Sequence, residues 1–388
     1  MLGINSNINS LVAQQNLTGS GSALSQAITR LSSGKRINSA ADDAAGLAIS
    51  NIMQTQINGL NQGVSNSNDG VSLVQTASSG LSSLTSSLQR IRQLATQAAN
   101  GSMTSDDRAA LQQEVNQQVS EINRIASQTT YNGMNVLNGT LGNVSFQVGA
   151  NVGQTISLSL NQNMSAASIG SGVPQAGQTL GTFSVSLNSA GVAATGSSAT
   201  VTSINVVSDG SGGFSFTDQN NTALSNTAVS ALFSASGQTI TGNAIVGSGT
   251  AITLSDTGLD AAVGSAGSAA ADAVTAQVNA YNVPTDVANV NISTASGASM
   301  AMESIDNALN TLNNLQATLG AAQNRFTAIG TTQQAQSTDL STAQSSIQDA
   351  NFAEETANLS KAQVLQQAGI SVLAQANSQP QQILKLLQ

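Results

Sequence analysis

Between Ile57 and Ala98 small or apolar residues recur at Ile57, Leu60, Val64, Ser67, Val71 and Val74, then at Ala77, Leu81, Leu84, Leu88, Ile91, Ala95 and Ala98. The steps are threes and fours with one stammer from Val74 to Ala77, which makes a heptad seam. At 1.5 Å per residue such a helix runs about 60 Å. The usual globular helix has about 11 residues, so this one requires a long partner. Ile305, Ala308, Leu312, Leu315, Leu319, Ala322, Phe326 and Ile329 repeat the spacing without error and supply that partner from the same chain. A third segment opens with Thr104-Ser105-Asp106-Asp107, good chemistry for an N-cap and a first helical turn, and continues through Leu111, Val115, Val119, Ile122 and Ile125. Two or three antiparallel helices can close a bundle with these seams as its core.

The outermost stretches are thinner. Ile4, Ile8 and Leu11, then Leu17, Leu24, Ile28 and Leu31, form a stripe interrupted by Gly19 and Gly21. Leu359, Ala362, Leu365, Ala368, Val372 and Leu373 form another near the C-terminus, followed by Pro380, Ile383, Leu384, Leu386 and Leu387. Segments that cannot bury an apolar face within one chain stay unfolded until a partner covers it. The expectation is therefore ends that order on assembly; the alternative is a helical hairpin docked onto its own bundle.

The middle is different material. Tyr131-Asn132-Gly133 and Asn138-Gly139 are turn signals, and Phe146, Val148, Ile156, Leu158 and Leu160 alternate as strands do. From about Gln175 the chain is rich in Ser, Thr, Gly and Ala, with short β-like runs at 183–187, 204–206 and 214–216 and a candidate helix at about 222–234. The predicted class is mainly α with an inserted β-rich region, parts of which border on low complexity and leave disorder as an alternative.

Charge sharpens this division. The 388 residues carry 10 Lys+Arg and 19 Asp+Glu, a net charge of −9. Residues 1–124 hold seven bases and seven acids, residues 125–324 no base and eight acids, and residues 325–388 three bases and four acids. So few bases argue against nucleic acid, which demands clustered Lys and Arg. There is no His, Cys or Trp, which removes imidazole and thiolate catalysis, disulfides, Cys/His zinc sites and the Ser-His-Asp triad. The eight central acids form no motif, and no catalytic, cofactor or metal residue is assigned. Residues 1–15 lack the basic and apolar regions of a secretory signal peptide, and no stretch approaches 18 apolar residues.

Four motifs carry a resemblance. Residues 31–49, from Leu31-Ser32-Ser33-Gly34-Lys35-Arg36 to Gly46-Leu47-Ala48-Ile49, resemble the N-terminal signature of bacterial flagellins, as does the run Leu88 to Asn100. Gln323-Asn324-Arg325-Phe326 and the run Leu365 to Asn377 are similar to the family's C-terminal pattern, as is the Leu386-Leu387 ending. The match covers roughly 1–160 and 298–388, and the middle matches nothing, as befits a variable outer region. The resemblance implies a secreted structural subunit of the bacterial flagellum, exported without a cleavable signal peptide, that polymerises into the filament for motility.

The implied domains are 1–44 with 345–388 as a terminal coiled-coil inner tube, 45–174 with 296–344 as a helical bundle plus β-hairpin, and 175–295 as the outer domain. Implied partners are further copies of the chain, an export chaperone, the filament cap and hook-associated proteins, with no cofactor. Candidate assembly residues are Ile4, Ile8, Leu11, Leu24, Leu31, Leu365, Val372, Leu373, Leu384 and Leu387. Arg90, Leu94, Gln97 and Glu114 match positions that a flagellin-sensing Toll-like receptor reads, and Arg90 and Leu94, one turn apart, would share a patch.

Arg30, Lys35 and Arg36 are the one basic cluster, either a solvated turn or an intersubunit contact. Asp42 and Asp43 favour the start of the next helix. The sequence departs from the family at Ser346 and Gln348, where two arginines usually flank the isoleucine, and at Gln388, where Arg often ends the chain. A hook-filament junction protein and a secreted adhesin are the competing readings. A metallopeptidase in the middle, which some flagellins carry, needs two His on one helix, and this chain has none.

Overall fold

A computed structural model of the chain describes residues 7–174, 176–195, 198–235, 240–246 and 251–386; at 265–266 and 379–386 it describes the backbone alone. Ile4 and Leu387 lie outside the described residues, as does the side chain of Leu384. Contacts divide the chain into two units: Met1–Asn68 with Phe146–Ile156 and Thr327–Gln388, and Asp69–Ser145 with Ser157–Phe326. The chain is mainly α-helical with an inserted β-rich region, as its pattern predicts.

The second unit is built on the predicted seams. Helix α2 (Ala44–Ala98) contributes its latter half, α3 (Ser105–Gln128) follows, and α7 (Ala295–Gln348) contributes its first part. Every seam residue from Val74 to Ala98 is buried, as are Ile305, Ala308, Leu312, Leu319, Ala322 and Phe326. A second buried row, Leu73, Ser87 and Leu94, widens the face of α2 beyond one heptad stripe. That row belongs to a bundle in which one helix meets more than one neighbour. Gly70 is part of the fit, because a Cβ there would come within 2.6 Å of the Phe326 ring.

Helix α3 starts as its sequence suggests. The Thr104 hydroxyl accepts from the Asp107 amide, and the Asp107 carboxylate accepts from the Thr104 amide, a complete capping box. Strands β1 (Thr130–Tyr131) and β2 (Met134–Asn135) then form a hairpin. Its two loop residues, Asn132 and Gly133, both have positive φ, which suits Asn-Gly. Strands β3 (Gly142–Gln147) and β4 (Thr155–Leu160) pair next, with Ile156, Leu158 and Leu160 buried in alternation.

The inserted region is an antiparallel five-stranded sheet of order β5-β6-β7-β10-β9, from β5 (Thr179–Leu187), β6 (Val201–Ser208), β7 (Phe214–Asp218), β9 (Ile240–Thr241) and β10 (Ala244–Ile245). Its core gathers Phe183, Phe214, Phe216 and Phe233 with Ile204, Val206, Leu232 and Leu259. The Phe216 and Phe233 rings stack at 4.6 Å. The three predicted runs fall in β5, β6 and β7, and the candidate helix is α4 (Asn226–Leu232). A short pair, β8 (Ser234–Ala235) with β11 (Leu254–Ser255), leads to α5 (Thr257–Val263) and α6 (Ser265–Tyr281). The sequence pattern, which predicts a β-rich region with a helix only at about 222–234, does not predict these two helices, yet alanine is the strongest helix former and α6 holds seven of them.

In the first unit, α1 (Ile8–Ser33) and α8 (Phe352–Leu386) pair within one chain. Ends that stay unfolded until assembly are thus not what the structure shows. They run antiparallel: Asn7 Nδ2 donates to the Ala376 carbonyl at 2.8 Å, and Arg30 lies 3.9 Å from Glu355. The inner positions are Ser10, Ala13, Leu17, Ser20, Leu24, Ala27 and Leu31 on α1, and Glu355, Leu359, Ala362, Gln366, Gly369, Leu373 and Ala376 on α8. Both are unbroken heptad seams in which leucines are mixed with small side chains that let the backbones approach; a Cβ at Gly369 would meet Leu17 at 3.3 Å.

Candidate assembly and recognition surfaces

The inner seam takes in Leu17, Leu24, Leu31, Leu359 and Leu373, and the other large apolar side chains of the terminal helices point elsewhere. Ile8 is 63% exposed, Leu11 69%, Leu365 50% and Val372 57%, and Val12, Ile28, Val364 and Ile370 are also exposed. Leu24, Leu31 and Leu373 are half-buried on the inner seam. The single stripe read from each terminal sequence is therefore two stripes on different arcs, one used inside the chain and one left open. A groove of about 650 Å³ runs beside the pair, with Gly19 and Ala23 on one wall and Leu365 and Val372 on the other.

The turn after α1 is organised rather than merely solvated. Arg36 donates from its amide to the Gln348 carbonyl at 2.7 Å and from its guanidinium to the Ile347 carbonyl at 2.7 Å. Asp42 accepts from the Ser39 and Asn38 amides and the Ser39 hydroxyl, and those bonds hold its carboxyl below the usual carboxylate range. Asp43 accepts from the Gly46 amide and so caps α2, the role expected of the pair, while Asp42 folds the loop. Gln348, one of the departures from the family pattern, accepts from the Ser50 hydroxyl at 3.0 Å.

The receptor candidates divide. Arg90 Nε donates to Glu114 at 2.7 Å, joining α2 to α3 on an exposed face, and Gln97 is exposed. Leu94 is only 1% exposed. The expectation that Arg90 and Leu94 share a surface patch is thus corrected: Leu94 lies in the second buried row, which a single-seam reading of α2 misses. Beside it, Arg92 makes a two-pronged contact with Asp306 of α7 at 2.6 and 3.1 Å, and those bonds raise the Arg92 pKa.

These features define a class: a helical-bundle protein with a β-rich insertion and paired terminal helices that carry unburied apolar faces. Comparison with known proteins gives the family. The bacterial flagellin N-terminal helical region matches residues 4–141, the flagellin D2 domain residues 172–282 and the bacterial flagellin C-terminal helical region residues 302–387. The chain is 37% identical to B-type flagellin of Pseudomonas aeruginosa over 486 aligned residues, covering 100% of this chain and 99% of that one. It is 35% identical to flagellin B of Vibrio cholerae, with 100% and 99% covered. The solved structure of FliC from Burkholderia pseudomallei is 59% identical, with a TM-score of 0.60, over 66% of this chain and 99% of that one.

The chain belongs to the bacterial flagellins. The family is structural rather than enzymatic, and its members polymerise into the flagellar filament. Full-length matches to flagellins favour the filament subunit over a junction protein. The middle, expected to match nothing, matches the D2 model. No described helix is long and apolar enough to cross a membrane.

Proposed function

We propose that this chain assembles through α1 and α8, with residues 1–44 and 345–388 forming the inner tube of the filament, 45–174 and 296–344 the shell around it and 175–295 the outward domain. The observation that carries this is the open apolar arc, Ile8, Leu11, Leu365 and Val372, on helices that pair through a different face. Unmatched apolar surface of this kind marks an interaction site. Repeated contacts between identical subunits that do not close into a ring build an open helix. Removing residues 1–40 should abolish polymerisation seen by electron microscopy; filaments that survive the deletion would sink the inner-tube assignment. Export through the flagellar channel without a cleavable signal, and contacts with an export chaperone, the cap and hook-associated proteins, follow from the same assignment.

A second role rests on the Arg90–Glu114 pair and Gln97, which form an exposed polar patch on α2 and α3. A flagellin-sensing Toll-like receptor reads this patch on free subunits, with Leu94 supporting it from beneath. In a receptor reporter assay, Arg90→Ala combined with Gln97→Ala should lower activation; unchanged activation removes the assignment.

A further inference from the structure

Asparagine followed by glycine is a chemically unstable pair, and the chain holds four of them: Asn58-Gly59, Asn100-Gly101, Asn132-Gly133 and Asn138-Gly139. The glycine nitrogen can attack the asparagine Cγ because no side chain shields it. The attack requires the glycine amide to swing toward the asparagine side chain, so the backbone around each pair decides whether it reacts.

Three of the pairs are held. Asn58 lies inside α2, where the Gly59 amide belongs to the helix ladder; its Oδ1 accepts from Gln54 Nε2 at 3.0 Å, and a Cβ at Gly59 would sit 2.9 Å from Ala150. Asn132 has a φ of 49°, and this left-handed conformation at the hairpin tip turns the following amide away from the side chain. Pairing of β1 with β2 on either side keeps it there. Asn138 is half-buried and bridged to Asn163, and a Cβ at Gly139 would lie 2.9 Å from the Asn161 carbonyl oxygen.

Asn100-Gly101 differs. Both residues are exposed in the link between α2 and α3, and the position of a Gly101 Cβ is surrounded by open space. The Asn100 Oδ1 accepts from the Ser102 amide at 3.2 Å, so a donor already faces the oxygen on which charge develops as Cγ is attacked. Asn138 has an equivalent donor in the Thr140 amide at 3.1 Å. What separates the two is freedom to close the ring: the Asn100 carbonyl is held by the Met103 amide at 3.2 Å and Arg108 Nη2 at 3.0 Å, and not by packing.

We propose that Asn100 is a site of spontaneous deamidation that marks ageing subunits. The Gly101 nitrogen bonds to Cγ, the Cγ–Nδ2 bond breaks, and ammonia leaves with the Gly101 amide proton, giving a cyclic imide. Water then opens the ring at either carbonyl and leaves aspartate or isoaspartate, its oxygen entering the new carboxylate. Either product puts a negative charge at the C-terminal end of α2, the unfavourable end of the helix dipole. Isoaspartate also adds a carbon to the main chain that Arg108 clasps through the Ala98 and Asn100 carbonyls.

Incubating the full-length chain at neutral pH in heavy-oxygen water, then cutting it with trypsin in ordinary water, isolates Asn100 in the peptide 93–108 between Arg92 and Arg108. Mass spectrometry reads the label, and chromatography separates the two acid forms. Asn100 should react at least about tenfold faster than Asn58, Asn132 or Asn138, a barrier difference of about 1.4 kcal/mol. In urea the four rates should converge, because the folded backbone sets the ranking. Gly101→Ala should slow the reaction about tenfold or more and leave the melting temperature nearly unchanged. Asn132 or Asn138 reacting first, a lead for Asn100 that persists in urea, no label in 93–108, or an undiminished rate in Gly101→Ala would each overturn the proposal.

Discussion

Helices α2 and α7 are joined in two chemically different ways. In the second unit their facing positions are Leu81, Leu84, Leu88 and Ile91 against Ile305, Leu312, Leu319 and Phe326, and all are buried. In the first unit the same helices meet through polar groups as well. The Ser337 hydroxyl donates to Asn61 at 2.8 Å, Gln344 reaches Ser50 at 3.1 Å, and Gln333 is buried. The α1–α8 pair is also mixed, with Ser10, Ser20, Glu355 and Gln366 beside alanines and five half-buried leucines along its seam. Apolar burial supplies most of the free energy of helix packing, while buried hydrogen bonds contribute little net stability and mainly fix register. The lesson is that one continuous helix can be strongly anchored over one stretch and only aligned over another.

The largest effect should come from cutting the apolar seam. Phe326→Ala should destabilise the second unit by about 3–5 kcal/mol, the usual cost of removing a buried aromatic ring, read by denaturant unfolding of the monomer. Leu17→Ala, on the half-buried α1 seam, should cost much less. Equal losses would mean that the two seams do not differ in the way the burial suggests.

The next effect separates folding from assembly. Leu11 and Val372 contribute little to the monomer, being mostly exposed. Covering such a side chain is worth roughly 1.5–3 kcal/mol. Leu11→Asp with Val372→Asp should therefore leave monomer melting nearly unchanged while raising the critical concentration for polymerisation at least about tenfold. Normal polymerisation would show that the open arc is not the contact surface.

A smaller, stabilising change probes the polar stretch. Gln333 is buried, and its Oε1 has no hydrogen-bond partner. An unsatisfied buried acceptor costs about 1–3 kcal/mol, so Gln333→Leu, of similar volume, should raise stability by about 1 kcal/mol in the same unfolding assay. A loss would mean that Gln333 contributes in the folded chain beyond its unpaired oxygen.

How much of this was legible depended on side-chain size. The seams of α2 and α7 could be read directly, because Leu and Ile fall at heptad spacing there. In α1 and α8 the residues that carry the inner seam include Ala13, Ala27, Ala362 and Gly369, which hydrophobicity alone does not select. Counting large apolar residues instead merged Leu11 and Ile28 with Leu17 and Leu24, though they lie on different arcs. Leu94 was misplaced for a related reason: the second buried row of α2 exists only because the bundle wraps it on two sides. The strands of the middle announced themselves through Phe183 and Phe216, while α6, alanine-rich and without strong amphipathy, did not. The carboxylates of Asp256, Asp260 and Asp272 sit 4 and 12 residues apart with no motif, and only the packing of α5 against α6 brings them together.

The smallest effect tests a feature that both sequence and structure place at Thr104. The capping box satisfies amides at the start of α3 whatever the seam beneath it does, so its contribution should be local. Thr104→Ala should cost about 1 kcal/mol, the typical value for a lost N-cap, and should speed amide hydrogen exchange in the first turn of α3 more than in its buried middle. The Asp107 carboxyl sits below its ordinary range, chiefly because the Thr104 hydroxyl, and then the Thr104 amide, donate to it. A carboxyl lowered in the folded state stabilises above its unfolded pKa and loses that contribution as pH falls through the folded value. Protection of the first turn in the wild type should thus fall on acidification, and Thr104→Ala should flatten that dependence. Equal pH dependence in the two chains would place the titrating group elsewhere and leave the box with a steric role alone.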